Sequence, residues 1–513
     1  MPFIPRAGLP RCAVVDLGSN SVRLVVYEGL GRNPMSIFNE KAVLRLGRGL
    51  QTTGMLDPEG MAQAVTILHR YREVAHAMGA SPIEALATSA VRDARNGPDF
   101  TRRLQERMPD VPIRTLSGVE EAELSADGLL CGIPDADGLL ADIGGGSLEL
   151  VRLTAGRPGS ALTLPLGVIR LAEQSSGDPS TARLVAEKAF RSIGWLNEIA
   201  GRSLYLVGGA WRALARIDMA RTDYALRMVH HYTIGGEEAR ELCARILGAS
   251  SRELAQMAGI SRRRVEDLPF AAVVLRRLVR MSGARRVVFS ASGLREGWLM
   301  RLVPPDVRAR DSLLAGGRDL AGLYGRDPNL PPALLVWTSP LFPFETALAA
   351  RLREAACWMS DVGSHDHPEF RSEQAFLRVL RQPGIGLDHP SRAFLALTIA
   401  LRYEADAAAA FLTQVRRLLD PVSARRAEIL GMALRLAYTL SAGTPDLLAG
   451  TKLRVEGRRL VLSLAEDSGV FGGEAVVRRL TRLAQSLDLE AATEPVSRQM
   501  LDAPETASRH AVA

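Results

Sequence analysis

Apolar and polar positions fall into two strand–turn–strand segments of one form. Residues 12–27 (CAVVDLGSNSVRLVVY) run apolar, break at Gly18-Ser19-Asn20-Ser21 and resume apolar. Residues 138–153 do the same around Asp142-Ile143-Gly144-Gly145-Gly146-Ser147. Short apolar runs flanking a glycine turn predict β-hairpins. Both turns read Asp, apolar, Gly, small residues, Ser, which marks an internal structural repeat. Strand and helix patterns alternate between and after them. Residues 41–47, 83–88 and 111–116 predict strands, and residues 58–78 and 100–108 predict helices. Ser117 followed by Glu120 signals a capped helix start. Further on, residues 203–207 predict a strand entering the turn Gly208-Gly209 and a helix; 229–233 and 285–289 predict two more strands. Two halves, each opened by such a hairpin, predict an α/β protein of two related lobes, 1–130 and 131–305, with a cleft between them.

The pattern changes near Val303-Pro304-Pro305-Asp306. From about 308 to 445 amphipathic helices dominate, so a helical domain is expected over 306–445. Residues 451–464 read as a hairpin turning at Glu456-Gly457, and 474–487 as a basic amphipathic helix. They form a small α+β segment, 446–513, whose polar tail from about Pro495 is expected to be mobile. At 513 residues the chain exceeds a single core. Its net charge is +7, and its cations are nearly all Arg, with Lys41, Lys188 and Lys452 the only lysines. Guanidinium forks suit phosphate oxygens, and a positive field draws polyanions. Cys12, Cys131, Cys243 and Cys357 are widely spaced, without a CxxC, which fits a reducing cytoplasm. The N-terminal residues lack a signal-peptide core and no run is apolar enough for a membrane span, so a cytoplasmic location is expected.

The turns carry the candidate chemistry. Glycines can turn successive N–H groups toward an anion, so Gly144, Gly145, Gly146 and Ser147 form a candidate phosphate nest. Gly18, Ser19 and Asn20 offer an opposing jaw. Asp142 and Glu149 place carboxylates at the two ends of the second turn, where Mg²⁺ would bridge them to phosphate oxygens. Splitting a phosphoanhydride needs a positioned phosphate, neutralised charge and a directed water. Arg92 is a candidate for the first, Mg²⁺ for the second, and Glu120 for the third as general base. No GxSxG elbow, Walker A sequence or GxGxxG fingerprint occurs, which removes the usual support for serine hydrolase, P-loop and Rossmann readings. His230-His231, adjacent on an expected strand, would point to opposite faces rather than share a metal.

The segments DLGSNS (16–21), RLGRGL (45–50), ATSAVRDARN (87–96), SGVEEAEL (117–124), DIGGGSLEL (142–150), VGGAWRALA (207–215) and SASGLREGWL (290–299) occur in order over residues 12 to about 302. Together they resemble the exopolyphosphatase / guanosine pentaphosphate phosphohydrolase family of the actin-like superfamily. The resemblance implies two actin-like (ribonuclease H-like) lobes, then a helical HD-like domain and the small C-terminal segment. It implies Glu120 as catalytic base and Asp142 and Glu149 on Mg²⁺ and water. It implies Gly144, Gly145, Gly146 and Ser147 on one phosphate, with Gly18, Ser19 and Asn20 facing them and Arg92 on the chain. The expected substrate is inorganic polyphosphate, with guanosine pentaphosphate, converted to tetraphosphate, as the alternative. A homodimer is expected by the same resemblance; no membrane and no specific nucleic acid are expected as partners. Two departures stand out. Ala210-Trp211 replaces the usual hydroxyl after the second-lobe glycine turn, and Ser360 precedes Asp361 where the HD-like pattern has His. The helical half, with Arg425-Arg426 and Arg478-Arg479, is expected to serve a structural or polymer-channel role. A non-catalytic sensor of alarmone or polyphosphate would not need the acids at 120, 142 and 149. A sugar or acetate kinase would need an acceptor motif that is not recognisable.

Overall fold

In the computed structural model the described residues are 8–257, 264–383, 386–466 and 472–502. Five strands form the first sheet: β1 (Arg11–Leu17), β2 (Ser21–Glu28), β3 (Ser36–Val43), β4 (Ala80–Ala87) and β5 (Ile113–Thr115), ordered β3-β2-β1-β4-β5. β1 and β2 are the antiparallel hairpin, β2 pairs antiparallel with β3, and β4 and β5 join in parallel. The second sheet comprises β6 (Gly138–Ile143), β7 (Leu148–Thr154), β8 (Arg157–Leu164), β9 (Ser203–Val207), β10 (Tyr232–Gly235) and β11 (Arg286–Phe289). Its order is β10-β11-β9-β6-β7-β8, so the hairpin β6–β7 repeats β1–β2 and one antiparallel edge strand is added. The central strands are buried on both faces, which is why they read as continuous apolar runs.

The structure shifts two expected strands. Residues 41–47 are not one unit: β3 ends at Val43, and Arg45 adopts a positive φ of 57° as the N–H groups of Leu44 and Arg45 both reach the Asn20 carbonyl. The real strand begins in Ser36-Ile37-Phe38-Asn39-Glu40, whose polar residues face outward on an edge. Near 229–233 the strand starts only at Tyr232, because His231 turns the chain at φ 66°.

The helix Gly118–Gly132 crosses the helix Leu294–Leu302 at a glycine seam. A Cβ on Gly128 would overlap the Gly293 carbonyl, and one on Gly297 the Leu124 carbonyl, so only glycine allows this approach. Trp298, Leu299 and Met300 pack on Cys12, Val14, Val25 and Leu86 of the first sheet. Ala122, Ala126 and Leu129 of the other helix pack on Leu140, Val151 and Val207 of the second. The chain that leaves the second lobe therefore returns to the first. Both lobes form one compact unit, Met1–Ser312 with Gly384–Asp388.

The second unit is Leu313–Pro383 with His389–Ala513. Its described residues are mostly helical, including His389–Arg402 and Pro421–Ser441. The expected hairpin forms as β12 (Thr451–Glu456) and β13 (Arg459–Ala465), turning at Gly457 with φ 56°. The helix Glu474–Ser486 follows. A third strand, β14 (Glu490–Val496), then pairs in parallel with β13, where the sequence suggested the onset of a mobile tail. Residues 503–513 of that tail lie outside the described residues. No described helix is long and apolar enough to cross a membrane.

Candidate active site

The two hairpin turns meet at the cleft. In the first, Gly18 N–H donates to the Ser21 carbonyl and the Ser19 carbonyl accepts from Gly47 N–H. In the second, Gly144 N–H donates to the Ser147 carbonyl. Gly144, Gly145 and Gly146 are absent from the positive-φ conformations, so φ > 0 is not what makes them glycine. Close approach is. A Cβ on Gly145 would stand 3.0 Å from Ser19 Cβ, and one on Gly146 2.6 Å from Ser89 Oγ. The Ser19 and Ser89 hydroxyls are themselves 3.1 Å apart. Gly18, Ser19, Asn20, Gly144 and Gly145 line the cleft; Gly146 and Ser147 do not, Ser147 being buried with its hydroxyl lacking a hydrogen-bond partner.

Asp16, Glu121 and Asp142 line the cleft, and a fourth carboxylate, Glu149, lies buried beside them. Asp142 and Glu149 face each other in register across β6 and β7, so their side chains share one face. Glu121 arrives from the first turn of the helix Gly118–Gly132, and Asp16 from the end of β1. Burial, followed by the like charges of Glu121 and Asp142, holds Glu149 well above the usual carboxylate range. Its Oε1 is buried without a hydrogen-bond partner. Asp142 is also raised, first by burial, although Ser125 Oγ–H donates to it at 2.5 Å. Burial pushes Glu121 up to about 7, with Asp142 and Asp16 adding to the shift and Arg92 opposing it. Arg92 Nη1–H donates to Glu121 Oε2 at 2.9 Å and to the Leu116 carbonyl at 3.2 Å, while its Nε–H reaches Asp93 at 3.2 Å.

The same cleft has a cationic wall formed by Arg23, Lys41, Arg212, Arg264 and Arg295. Arg23 pairs in register with Asp16, and Arg295 stands 3.7 Å from Asp16. Burial pulls Lys41 down to about 8, helped by Arg264, Arg23 and Arg212. Burial, then Arg295 and Arg23, pull Arg212 down to about 10. Cations crowded enough to depress one another mark a place where an anion is favoured. Gly208 enters this wall at φ 121° against the Ile143 carbonyl, and the Arg264 guanidinium lies where a Gly209 Cβ would be. The helix Gly209–Arg221 begins here without a side-chain cap, so its first N–H groups face the cleft unclaimed. No aromatic side chain lines the cleft among the described residues. Trp211 instead points into the second-lobe core, its indole N–H donating to the Ala271 carbonyl.

Glu120, the base expected from the sequence, is placed differently. Its Oε2 accepts from Ser117 N–H at 2.8 Å and Ser117 Oγ accepts from Glu120 N–H, a closed capping box. Those bonds hold its carboxyl below the usual range, and Glu120 is absent from the cleft lining. Successive helical residues point about 100° apart, so when residue 120 turns back to cap the helix, Glu121 faces the cleft. Arg92 also does not line the cleft; it braces Glu121. The sequence reading missed Glu121 as a site residue, Asp16, Ser125 and the cationic wall. The rarity of Lys in this chain was one available signal for Lys41.

The remaining candidates lie elsewhere. His230 Nδ1 accepts from Ala291 N–H, and His231 Nε2 meets the Gly132 carbonyl, just before β10 rather than on it. Asp361 of the second unit is taken by Arg326 at 2.8 Å and faces Arg402 at 3.7 Å, while Ser360 bonds Tyr438. Arg425 pairs with Asp488, Arg426 with Glu345, Arg478 with Glu474 and Arg479 with Glu404. No group of three or more His, Cys, Asp or Glu forms a metal cage among the described residues.

Two lobes, each opened by the same kind of hairpin, meet at a cleft with an acidic end and a cationic wall. An exopolyphosphatase from Cytophaga hutchinsonii shares the fold at a TM-score of 0.52 and 22% identity, over 57% of this chain and 97% of that one. The chain belongs to the Ppx/GppA phosphatase family, whose model matches residues 25–305, and it is therefore a hydrolase. Residues 313–492 match the exopolyphosphatase C-terminal domain. Exopolyphosphatase 2 of Mycobacterium tuberculosis is 29% identical over 290 residues, 53% of this chain and 91% of the relative. Exopolyphosphatase 1 of Mycobacterium bovis is 30% identical over 303 residues, 57% of this chain and 88% of the relative.

Proposed function

We propose that this chain is an exopolyphosphatase that removes the terminal phosphate of inorganic polyphosphate. The observation that carries the reading is one cleft that sets a cluster of acids, including Glu121, against a wall of five cations with the single carboxylate Asp267 among them. The terminal phosphate sits between the turns at Gly18–Asn20 and Gly144–Gly145. Water attacks its phosphorus while Glu121 takes the proton. The bond from phosphorus to the bridging oxygen breaks, orthophosphate forms, and the shortened chain leaves with the bridging oxygen as its new end. Arg23, Lys41, Arg212, Arg264 and Arg295 hold the following phosphates and the charge developing on that oxygen. A base titrating near neutrality matches the task.

The donor set fits Mg²⁺. Glu149 Oε1 is buried and unbonded, and the carboxylates crowd one another into raised pKa values that a dication would relieve. Asp142 and Glu149 would hold the ion, which needs only one or two carboxylates beside phosphate and water. Bound there, it would neutralise charge on the phosphate oxygens.

Guanosine pentaphosphate presents the same anhydride with a nucleoside behind it. A cleft lined by cations, with no aromatic face for a base among the described residues, favours a plain phosphate chain. The test is phosphate release from long polyphosphate and from guanosine pentaphosphate side by side, with and without Mg²⁺. A higher kcat/KM on polyphosphate is expected, and release from the pentaphosphate alone would overturn the reading.

A further inference from the structure

The glycine turn of the second lobe is physically tied to Glu121 in the first. The carbonyls of Gly144 and Gly145 accept from the N–H groups of Val168, Ile169 and Arg170, the opening residues of the helix Val168–Gln174. Gly167 lies so close that any Cβ would overlap the backbone of Gly145 and Gly146. The helix therefore cannot move without the turn. From it the Arg170 side chain crosses to the first lobe and ion-pairs with Asp93. Asp93 accepts from Arg92 Nε–H, and Arg92 Nη1–H donates to Glu121. The same helix makes a second crossing, Glu173 accepting from Gly49 N–H at 2.9 Å.

We propose that Arg170 and Asp93 are positioning residues for the hydrolysis: they set the Arg92 guanidinium against Glu121 only while the second-lobe turn is seated on the first lobe. Arg92 has a long, flexible side chain, and its pose needs fixing at both ends. Glu121 and the Leu116 carbonyl hold Nη1, and Asp93 holds Nε. Asp93 is itself partly exposed, at 31% of its side chain, and would sample other rotamers without Arg170, whose side chain is only 13% exposed. Phosphate entering the turn thus presses on a helix whose charged end governs the alignment of the base. A direct phosphate contact by Arg170 is not part of this role, since Arg170 does not line the cleft.

The inference rests on the reading of the cleft as a polyphosphate hydrolase, and the experiment separates the two. Steady-state phosphate release from polyphosphate is measured for wild type, Arg170→Gln, Asp93→Asn, the double variant, Asp93→Glu and the surface control Asp99→Asn. Misplacing a catalytic group without touching substrate lowers kcat by about tenfold or more. With KM held within about threefold, that places the loss after binding. The double variant falls no further than the worse single one, because both break one chain of contacts. Asp93→Glu recovers most of the rate, and Asp99→Asn matches wild type. An inactive wild type overturns the hydrolase reading and the inference with it. An active wild type with both single variants within about twofold of it, a loss carried by KM, or additive losses overturns the inference alone. If Arg170→Gln does not fold, Arg170→Lys decides: it keeps the charge and loses the fork, so a lowered kcat at unchanged KM supports the role and a wild-type kcat overturns it.

Discussion

Glu120 and Glu121 are adjacent, and their carboxylates lie in opposite settings. The first accepts from Ser117 N–H at the helix start, while the second is buried in the cleft against Arg92. Their amide variants should therefore separate. Glu121→Gln is expected to abolish phosphate release while polyphosphate still binds, because the cationic wall is untouched. Glu120→Gln keeps an acceptor oxygen for Ser117 N–H and loses only its charge, costing about 1 kcal/mol or less, with kcat near wild type. Binding by fluorescence anisotropy and release by phosphate assay check both. Full activity in Glu121→Gln would move the base elsewhere.

The pH–rate profile should be bell-shaped. Glu121 must be ionised to accept a proton, and without metal it is pushed up to about 7, so kcat/KM rises with pH along a limb at about 7 that bound Mg²⁺ moves downward. Lys41 holds phosphate only while protonated, and it is pulled down to about 8, so kcat/KM falls above that. Lys41→Arg keeps its charge across this range and should move the alkaline limb upward by about one unit or more. An alkaline limb unmoved in this variant would exclude Lys41 as its source.

The crowded acids also make a statement about stability. In the unfolded chain Glu121 releases its proton near 4.5, and in the fold only near 7. Between those values the native state binds the extra proton, so stability falls as pH rises across that window and the penalty is complete above it. Glu121→Gln removes the charge. Its thermal midpoint should exceed that of wild type by a few degrees at about pH 8, with the gap closing below about pH 4.5. The catalytic arrangement is then paid for in stability. Equal midpoints at alkaline pH would show that the carboxylates are not in conflict.

Much of this was legible in the chain because turn chemistry is local. DLGSNS and DIGGGS each carry their hairpin within a few residues, and β-α alternation follows from periodicity. Which of the two neighbouring glutamates turns inward could not be read from the chain, because cap geometry decides it and both satisfy the same pattern. The cationic wall was illegible for a different reason: Arg23, Lys41, Arg212, Arg264 and Arg295 share no local signature, and only the lobes bring them together. β14 was missed because Glu490-Ala491-Ala492-Thr493-Glu494-Pro495 is a largely exposed edge strand, held by pairing with β13 rather than by an apolar face. Gly145 and Gly146 are required by contact with Ser19 and Ser89 rather than by positive φ, a close approach between lobes that no local pattern shows.

Gly208 and Gly209 are neighbours that should respond to alanine in opposite ways. Gly208 sits at φ 121° with the Ile143 carbonyl where a Cβ would go, and neither can yield cheaply. Gly208→Ala is expected to cost about 2 kcal/mol or more of stability, read by denaturant melts. At Gly209 the obstacle is the free end of the Arg264 side chain, which can swing aside. Gly209→Ala should therefore fold normally and displace one cation from the wall. Its KM for polyphosphate should rise about tenfold with kcat changed less, the signature of lost binding shared by ground and transition states. The salt dependence of KM should weaken as well, since one fewer charge faces the chain. A wild-type KM in this variant would remove Arg264 from the substrate's path.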